Sequence, residues 1–465
     1  MLTYDLNNRG KMPMYEYLYQ CIKKDIVTGK LKANEKLPSK RQLAENLGIS
    51  LITIQNAYEQ LLVEGYLYTL ERRGYFVSEI DIKDLTETKK AVTNTKQEKN
   101  NDIRVDFTSG HILYDHFPYS SWAKLMRKTL LDEQGAFLES PHHQGVYDLR
   151  KAISEHLREF RGLEVNPEHI VIGAGTEYLY SMIVQLVGRS GMIAVEDPGH
   201  LKVTQVYESC GIKVLHIPVD HHGMSIDALK NAHVTAIHIS PSHQFPTGIV
   251  MSASRRHGLI RLAREKECVI IEDDYDSEFR FAGKPISTLK SLDDDNVIYL
   301  NTFSRTLSPS IRISYMVLPE KLMERYQKKM SFYSCTVSGM EQYTLASFIS
   351  EGYYGRHINR MRNYYRTHRN EILETIRASH LFQFVSIEEE NAGLHFILRI
   401  NQEINDEQYT LRLLQQGVKI NPVSHYCFRP QKNYEHCFII NYASVDVPKM
   451  KEVLEIMYEE LKKTE

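Results

Sequence analysis

Seven short apolar runs between residues 169 and 319 constrain the fold of this 465-residue chain more than any other feature. Each run has the length and composition of a buried β-strand, and amphipathic stretches at 176–189 and 252–266 separate some of them. Strands that alternate with helices predict a mainly parallel sheet covered by helices on both faces, and hence an α/β fold. The predicted strands lie within residues 169–175, 191–199, 212–219, 234–242, 268–275, 296–304 and 311–319.

The sequence from about residue 340 onward has a different pattern. A long helical stretch, GRHINRMRNYYRTHRNEILETIRAS, precedes two strand-like runs, GLHFILRI and CFIINYA. This order predicts a smaller α+β subdomain after the parallel sheet.

Residues 81–104 are rich in Lys, Thr, Asn, Asp and Glu and contain almost no large apolar side chains. Such a segment cannot bury enough apolar surface to offset the entropy lost on ordering. We interpret it as a linker, flexible or loosely helical, between two folded units. The predicted organisation is an N-terminal domain at 1–80, the linker at 81–104 and a larger domain at 105–465.

Composition excludes several classes of protein. Apolar residues make up 42% and charged residues 25%, which is typical of a soluble globular chain. The six cysteines form no CxxC pair and no spacing typical of a zinc site, so we expect reduced thiols and no bound metal. The N-terminus is too polar for a signal peptide, and no stretch approaches the roughly 20 apolar residues that span a membrane. We therefore expect a cytoplasmic protein without a membrane partner.

Residues 13–62 have the pattern of three helices, of which the second and third begin after Ser39 and at Ser50. Ser39 predicts an N-cap, Gln42 completes a capping box, and Gly48 supplies the turn between the two helices. The apolar positions expected inside are Tyr15, Leu18, Tyr19, Ile22 and Ile26 in the first helix, Leu43 and Leu47 in the second, and Ile54, Ala57, Tyr58, Leu61 and Leu62 in the third.

This pattern leaves Ile52, Thr53, Gln55 and Asn56 exposed at the start of the third helix, the part of a helix-turn-helix that enters the major groove. Gln and Asn can form paired hydrogen bonds with adenine, and Thr can contact a base or the thymine methyl group. The first 78 residues carry 11 Lys and Arg against 8 Asp and Glu, a net charge of +3 that supports DNA binding only weakly.

The segment EGYLYTLERRGYFVSE predicts a β-hairpin with Arg72, Arg73 and Gly74 at its tip, where arginine can reach phosphate or the minor groove. A solvated turn is the alternative there, and a solvated helix end is the alternative for Lys40. The residues predicted to contact double-stranded DNA are Lys40, Arg41, Thr53, Gln55, Asn56, Arg72, Arg73 and Gly74.

From Pro13 to Val77 these features, in this order and spacing, resemble the GntR-type winged helix-turn-helix. The resemblance rests on a PLY-like opening, LPSKRQLAENLGIS, TIQNAYEQLLVEGY and the GYFV wing. It implies a DNA-binding domain. The chain departs from the family at Leu51, where relatives often carry Arg, so a phosphate or guanine contact of the relatives is put in doubt.

Residues 105–465 resemble the fold-type-I aminotransferases, which use pyridoxal 5'-phosphate. The motifs that carry this resemblance are SPSHQFPTGIVMSASRRHGLI, IIEDDYDSEFR, NTFSRTLSPSIRISYMVLP and AGLHFIL. Together with the GntR-like head, they are similar to the MocR group of transcription regulators. The resemblance implies a homodimer, in which the linker lets each head reach the partner's body.

The resemblance also implies a set of cofactor-binding residues. Asp273 would keep the ring nitrogen protonated, Tyr275 on the same strand face would hydrogen-bond the 3-oxygen, and His200 would stack on the ring. The phosphate would bind at a helix N-terminus and be held by an arginine. The residues implied for the phosphate end are Gly175, Thr176, Thr302 and Arg312, and Ser304 is counted with the same cofactor-binding set.

Several positions depart from the aminotransferase pattern. Arg305 stands in NTFSRTL where relatives have the lysine that forms a Schiff base with the cofactor aldehyde, and a guanidinium keeps its proton at physiological pH. Glu177 replaces a frequent Gln in the phosphate turn, where an acid is unfavourable unless it turns away. Ser140 lies near the position where relatives often have Tyr. Ile439 lies where relatives commonly have an arginine that binds the substrate carboxylate.

We therefore predict a DNA-binding transcription regulator whose body senses a small ligand, with no catalytic residue assigned. Pyridoxal phosphate, a cofactor–amino acid adduct and another small anion remain open as the ligand, and the cofactor is either bound without a covalent bond or lost. One alternative is an active aminotransferase with a DNA-binding appendage. Another is a constitutive DNA-binding dimer whose body is only a scaffold.

Overall fold

The chain divides into two compact units, Met1–Lys99 and Asn100–Glu465, which we call the head and the body. Most of the predicted linker, 81–102, lies outside the described residues. The computed structural model describes residues 3–4, 6–10, 12–79, 103–108, 116–133, 135, 139–281, 286–390, 393–443 and 445–463.

The head contains three helices followed by a hairpin, as the sequence predicts. The hydroxyl of Ser39 accepts a hydrogen bond from the backbone N–H of Gln42, and that of Ser50 accepts one from Thr53. Gly48 ends the second helix in the left-handed conformation, with φ of 63°. The elements are α1 (Met14–Val27), α2 (Lys40–Leu47), α3 (Leu51–Val63), β1 (Leu67–Leu70) and β2 (Gly74–Val77).

The core of the head is close to the prediction. The buried side chains come from all three helices and from the hairpin. Tyr15 was expected inside and is 41% exposed, because it lies in the first turn of α1. Tyr19, Leu47 and Leu62 were also expected inside and are only partly buried. The fully buried core includes Leu18, Ile22, Ile26, Leu43, Ile54, Ala57, Tyr58, Leu61, Leu67 and Val77.

The hairpin forms the predicted wing. Strand β1 pairs antiparallel with β2, from Leu67 opposite Val77 to Leu70 opposite Gly74. Glu71–Arg73 make the turn, so that Gly74 is the first residue of β2 rather than part of the tip. The backbone of 34–37 hydrogen-bonds to the outer side of β2 and holds the wing on the helices.

The body contains an eight-stranded sheet in which all seven predicted strands are present. Its order is β4-β11-β10-β9-β8-β5-β6-β7; β11 is antiparallel to both neighbours, β7 is antiparallel to β6, and the remaining pairs are parallel. The strands are β4 (Ile170–Ala174), β5 (Met192–Asp197), β6 (Lys213–Asp220), β7 (Gly223–Met224), β8 (Ala236–Ile239), β9 (Val269–Asp273), β10 (Val297–Thr302) and β11 (Ile313–Val317).

Helices cover both faces of this sheet. Successive residues of one strand point to opposite faces, so that Ile172 packs with α5 and α12 while Val171 packs with α6. The helices are α4 (Tyr119–Asp132), α5 (Tyr147–Arg161), α6 (Thr176–Val187), α7 (Leu201–Ser209), α8 (Ile226–Lys230), α9 (Ala253–Glu265), α10 (Leu289–Leu292), α11 (Glu320–Met330) and α12 (Gly339–Ser350).

The predicted α+β subdomain follows and has one feature that the sequence did not indicate. Strand β3 (Val105–Asp106), from the start of the body, pairs parallel with β14 of this subdomain. Strands β12, β13, β16 and β15 form an antiparallel sheet in that order. The elements are α13 (Tyr353–Arg377), β12 (Val385–Glu388), β13 (His395–Ile400), α14 (Asp406–Gln415), β14 (Val418–Lys419), β15 (Asn421–Pro422), β16 (Cys437–Asn441) and α15 (Val447–Lys462).

Three further observations concern the described residues alone. None of their helices is long and apolar enough to cross a membrane. No group of three or more of their His, Cys, Asp and Glu side chains is arranged to hold a metal ion. All six cysteines are free thiols.

Candidate functional site

A cavity of about 340 Å³ opens at the carboxyl ends of the parallel strands of the body. Ligands bind at this edge in open α/β sheets, because loops and helix N-termini converge there. The chain places every cofactor-binding residue predicted from the sequence on the wall of this one cavity, together with Arg305. Those predicted residues are Gly175, Thr176, His200, Asp273, Tyr275, Thr302, Ser304 and Arg312.

Asp273, the last residue of β9, is held by hydrogen bonds on one side only. Its Oδ2 accepts a 2.5 Å hydrogen bond from the hydroxyl of Tyr180 and lies 3.5 Å from Nε2 of His238. The ring of His238 is held by the hydroxyl of Tyr207 through Nδ1, at 2.7 Å. Within the described parts of the chain, no donor reaches the buried Oδ1 of Asp273. A buried carboxylate oxygen without a partner is costly, so this atom is suited to a ligand donor.

Tyr275 lines the cavity beside Asp273, although the two do not share a strand as predicted. Strand β9 ends at Asp273, and Tyr275 lies in the bend that follows. Its hydroxyl lies 3.3 Å from Nδ1 of His243, which is also 2.8 Å from Oδ2 of Asp276. Burial, with nearby Asp276, raises the pKa of Tyr275 well above its usual value. The phenol therefore stays protonated and can donate a hydrogen bond.

The other end of the cavity is the turn between β4 and α6. Gly175 has φ of 92°, and a Cβ at this position would lie 2.3 Å from Nη2 of Arg312, so only glycine fits here. Thr176 begins α6, whose N-terminal N–H groups favour an anion. At the end of β10, Thr302 Oγ1 accepts a hydrogen bond from the backbone N–H of Ser304 at 3.2 Å.

Glu177, predicted to be unfavourable beside a phosphate unless it turns away, also lies at this end, and its carboxylate contacts two cations. Its Oε2 is 2.8 Å from Nη2 of Arg312, and its Oε1 is 3.2 Å from Nζ of Lys202. Burial alone would raise the pKa of Glu177, but its own backbone N–H and the two cations lower it to about 2. Both cations are thus paired with a carboxylate of the protein.

Arg305 differs from Arg312 in having no carboxylate beside it. It lies in the turn after β10 and is half-buried. Its guanidinium carbon is 5.8 Å from the centroid of the Tyr275 ring. Among the described residues, no hydrogen bond or ion pair reaches this guanidinium, and the Tyr275 ring is its aromatic contact.

Aromatic rings that the sequence analysis did not identify form one wall of the cavity. The ring of His200 lies 5.3 Å from that of Phe245, which contacts Tyr426 at 5.1 Å. His216 and Phe428 stack at 3.8 Å with 4° between their planes. Burial, followed by the charge of Arg305, lowers the pKa of His200, so its ring is neutral. Phe428 and Tyr426 come from the C-terminal subdomain, which local motifs could not place at this cavity.

Glu196, near the end of β5, is a second carboxyl group that the motifs did not reveal. Its Oε2 accepts a 3.1 Å hydrogen bond from the backbone N–H of Ser240, and its Oε1 is buried without a partner among the described residues. Burial raises the pKa of Glu196 to about 8. At neutral pH it is therefore mostly a neutral acid that can donate a hydrogen bond.

Two other departures noted in the sequence lie elsewhere in the body. Ser140 is exposed and is absent from the cavity wall. Ile439 is buried in β16, where it packs with Ile397, Val423 and Cys437. Its side chain belongs to the core of the subdomain and does not face the cavity.

In the head, the predicted DNA-contacting residues lie at helix starts and at the wing. Lys40 and Arg41 are the first two residues of α2, and Nζ of Lys40 lies 5.9 Å from the Tyr75 ring centroid. Arg72 and Arg73 are exposed in the wing turn, with φ of 60° at Arg72.

The start of α3 presents both polar and apolar groups. The hydroxyl of Thr53 is 2.7 Å from that of Ser50, and the amide of Gln55 donates a 2.8 Å hydrogen bond to Glu59. Asn56 is exposed. Ile52, which was not among the predicted contacts, is 71% exposed at the N-terminal turn. This exposure agrees with the helical periodicity, which left Ile52 on the outer face of the third helix.

Comparisons with known proteins agree with this architecture. Residues 14–77 match the family described as bacterial regulatory proteins, gntR family, and residues 102–457 match aminotransferase class I and II. The HTH-type transcriptional regulator YdeL of Bacillus subtilis is 38% identical over 91% of this chain and 92% of its own length. The HTH-type pyridoxine biosynthesis transcriptional regulator PdxR of Corynebacterium glutamicum is 29% identical over 88% of each chain.

Solved structures show the same fold for the body. Pyrococcus horikoshii kynurenine aminotransferase superposes with a TM-score of 0.67 at 23% identity, over 78% of this chain and 91% of its own.

The probable rhizopine catabolism regulatory protein MocR of Rhizobium meliloti is 31% identical over 96% of this chain and 93% of its own. The chain therefore belongs to the MocR-type transcription regulators, which join a GntR-family helix-turn-helix to an aminotransferase class I and II domain.

Proposed function

We propose that this regulator senses a small ligand in the cavity of its body and transmits the binding to the DNA-binding head. The observation that carries the proposal is the meeting of eight motif residues on one cavity wall, beside an arginine to which no described residue offers a carboxylate. A cavity of about 340 Å³ with a few converging polar groups is typical of a small-molecule site.

Pyridoxal 5'-phosphate fits this cavity as a noncovalent ligand. The unpartnered Oδ1 of Asp273 can accept a hydrogen bond from the ring nitrogen, and the Gly175 turn can receive the phosphate. The kynurenine aminotransferase structure was solved with PMP, a form of the same cofactor. When bound, the cofactor supplies an electron-withdrawing ring. Because Arg305 keeps its proton, it cannot form the covalent bond that transamination requires, so catalysis is not proposed.

The head binds double-stranded DNA in this proposal. Thr53, Gln55 and Asn56 of α3 enter the major groove, and exposed Ile52 contacts a thymine methyl group. Lys40, Arg41 and the wing arginines contact the phosphate backbone or the minor groove. Two chains form a homodimer that binds two half-sites. The ligand regulates DNA binding by favouring one arrangement of the heads, because equal affinity for both arrangements would shift neither.

Fluorescence anisotropy with DNA from the region upstream of the protein's own gene tests the head. We expect binding at low salt that weakens steeply as salt rises. Replacing the wing arginines, Arg72→Ala with Arg73→Ala, should lower the affinity about tenfold and reduce the salt slope by about 1–2. The double variant Lys24→Ala with Lys32→Ala removes two exposed charges outside α2, α3 and the wing, and should retain more of the affinity. Absence of binding at low salt would contradict the proposal.

The same titration with and without pyridoxal 5'-phosphate tests sensing, because a regulatory ligand must change the affinity for DNA. An active aminotransferase would instead show an absorbance band above about 400 nm from covalently bound cofactor. A scaffold body would bind no ligand, and its melting temperature would not rise with added cofactor.

A further inference from the structure

Two charged groups of the cavity are incompletely satisfied by the described residues. Asp273 is 7% exposed, and its Oδ1 accepts no hydrogen bond from the described residues. The half-buried guanidinium of Arg305 lies 5.8 Å from the Tyr275 ring centroid and has no carboxylate partner among the described residues. Because buried polar groups are normally satisfied, each of these groups is suited to a complementary group on a ligand.

The chemistry of each group specifies what it would bind. The carboxylate of Asp273 requires a hydrogen-bond donor. A protonated nitrogen in a flat aromatic ring provides such a donor. The guanidinium of Arg305 is planar, keeps its proton and matches a carboxylate with two parallel hydrogen bonds. Both groups line the cavity with Tyr275 and His200, and their charges shift the pKa of each of these two side chains in opposite directions, so both lie near the same rings.

The Gly175 end of the cavity offers an anionic ligand fewer unpaired cations. The cations there, Arg312 and Lys202, already contact Glu177 at 2.8 and 3.2 Å. A phosphate group would have to displace this carboxylate or accept its repulsion. An oxyanion at Arg305 displaces no protein carboxylate, which makes Arg305 the less costly anion site.

We propose that Arg305 binds the carboxylate of a ring-containing acid whose basic ring nitrogen meets Asp273. This inference rests on the proposed function and names the chemistry of its ligand. The ligand class is a substituted pyridine carboxylic acid, with the carboxylate on the ring carbon that bears the aldehyde in pyridoxal. A cavity of about 340 Å³ accommodates one such ring. The wall formed by His200 and Phe245 can pack against its face.

A structural role for Arg305 is the main alternative. In that reading the guanidinium packs on Tyr275, and such a cation–ring contact stabilises by about 0.5–2 kcal/mol depending on exposure. This alternative predicts no preference for acidic ligands. It also predicts that a change at Arg305 affects the stability of the chain but not the discrimination between two ligands of the same shape.

Isothermal titration of the full-length protein with 4-pyridoxic acid and with pyridoxine distinguishes the two readings. The two compounds share the ring, its nitrogen and its methyl and hydroxyl groups. On the ring carbon that bears the aldehyde in pyridoxal, 4-pyridoxic acid has a carboxylate and pyridoxine has a hydroxymethyl group. We expect 4-pyridoxic acid to bind at least about tenfold more tightly, as hydrogen bonds to a charged group predict. This comparison uses the unaltered chain, so it does not depend on whether a variant folds.

Variants at Arg305 then assign the preference to this residue. Arg305→Met should remove the preference while leaving the affinity for pyridoxine within about twofold, and Arg305→Lys should retain part of it as a single point charge. The matched control Arg429→Met alters an exposed arginine next to Phe428 that does not line the cavity, and it should bind as the unaltered chain does.

Three results would overturn the assignment: equal affinity for the two compounds, no binding of 4-pyridoxic acid, or a preference that survives in Arg305→Met. Failure of the proposed function would look different. If the preference depends on Arg305 but neither compound changes the affinity for DNA, the ligand site stands and sensing fails. If pyridoxal 5'-phosphate changes DNA binding and 4-pyridoxic acid does not bind, sensing stands and the ligand site is wrong.

Discussion

The two ends of the body cavity handle charge in opposite ways. At the Gly175 end, Glu177 pairs with Arg312 and Lys202, so the protein supplies its own anion. At the Asp273 end, a carboxylate oxygen and the guanidinium of Arg305 face the cavity without partners of opposite charge among the described residues. A ligand gains most where it satisfies groups that the protein leaves unpaired, because no internal contact has to be broken. The difference suggests that affinity is set mainly at the Asp273 end.

The variant Asp273→Asn should have the largest effect on ligand binding. It keeps the size of the side chain and removes the negative charge that a protonated ring nitrogen requires. We expect the affinities for 4-pyridoxic acid and pyridoxine to fall together by about a hundredfold, since the two compounds share the ring nitrogen. Isothermal titration measures both.

The control for this variant is Asp227→Asn, which changes an exposed carboxylate in α8 that does not line the cavity. It should leave both affinities unchanged. If Asp273→Asn binds both compounds as tightly as the unaltered chain does, the carboxylate of Asp273 plays no part in recognition. The Asp273 end would then contribute no more to affinity than the Gly175 end.

The variant Glu177→Gln tests the paired end and should have a smaller effect. Removing the carboxylate frees Arg312 and Lys202 for an external phosphate and removes its repulsion. We expect the affinity for pyridoxal 5'-phosphate to rise about tenfold, while that for 4-pyridoxic acid changes less than about twofold. Glu265→Gln, an exposed acid near the end of α9, is the matched control. An equal gain for both ligands would show that the two ends are not independent.

Much of this architecture could be predicted from sequence because it depends on local chemistry. Short apolar runs separated by amphipathic stretches located all seven predicted strands, and serine caps located α2 and α3. The motif residues Asp273 and Arg312 line one cavity because β9 ends, and the antiparallel β11 begins, at the same edge of the sheet.

The remaining features required three-dimensional placement. Phe428 reaches the cavity from the C-terminal subdomain, and β3 joins β14 across more than 300 residues of sequence. The contact of Glu177 with Arg312 could not be foreseen, since the sequence analysis considered only repulsion between an acid and a bound phosphate. Partners of opposite charge distant in sequence decide the orientation of such a side chain.

A change at Glu196 should have the smallest effect of the three. It tests how much free energy is lost when a carboxyl group is buried at the cavity wall. Burial raises the pKa of Glu196 to about 8. Its folded-state pKa is therefore above its unfolded value, and its contribution to stability is complete below about pH 4.5 and is lost as pH rises to about 8. The free energy of unfolding of the body should fall over this window.

The variant Glu196→Gln removes the titrating proton, so it should be more stable than the unaltered chain at pH 8 by about 1–3 kcal/mol and nearly equal at pH 4.5. Urea unfolding followed by the fluorescence of Trp122, the single tryptophan of the chain, reports on the body alone. Glu265→Gln should show no such pH dependence relative to the unaltered chain. If the stability difference between Glu196→Gln and the unaltered chain is no larger at pH 8 than at pH 4.5, the carboxyl of Glu196 is solvated or paired with a cation. Leaving the Asp273 end without a ligand would then cost less free energy than its unpartnered atoms imply.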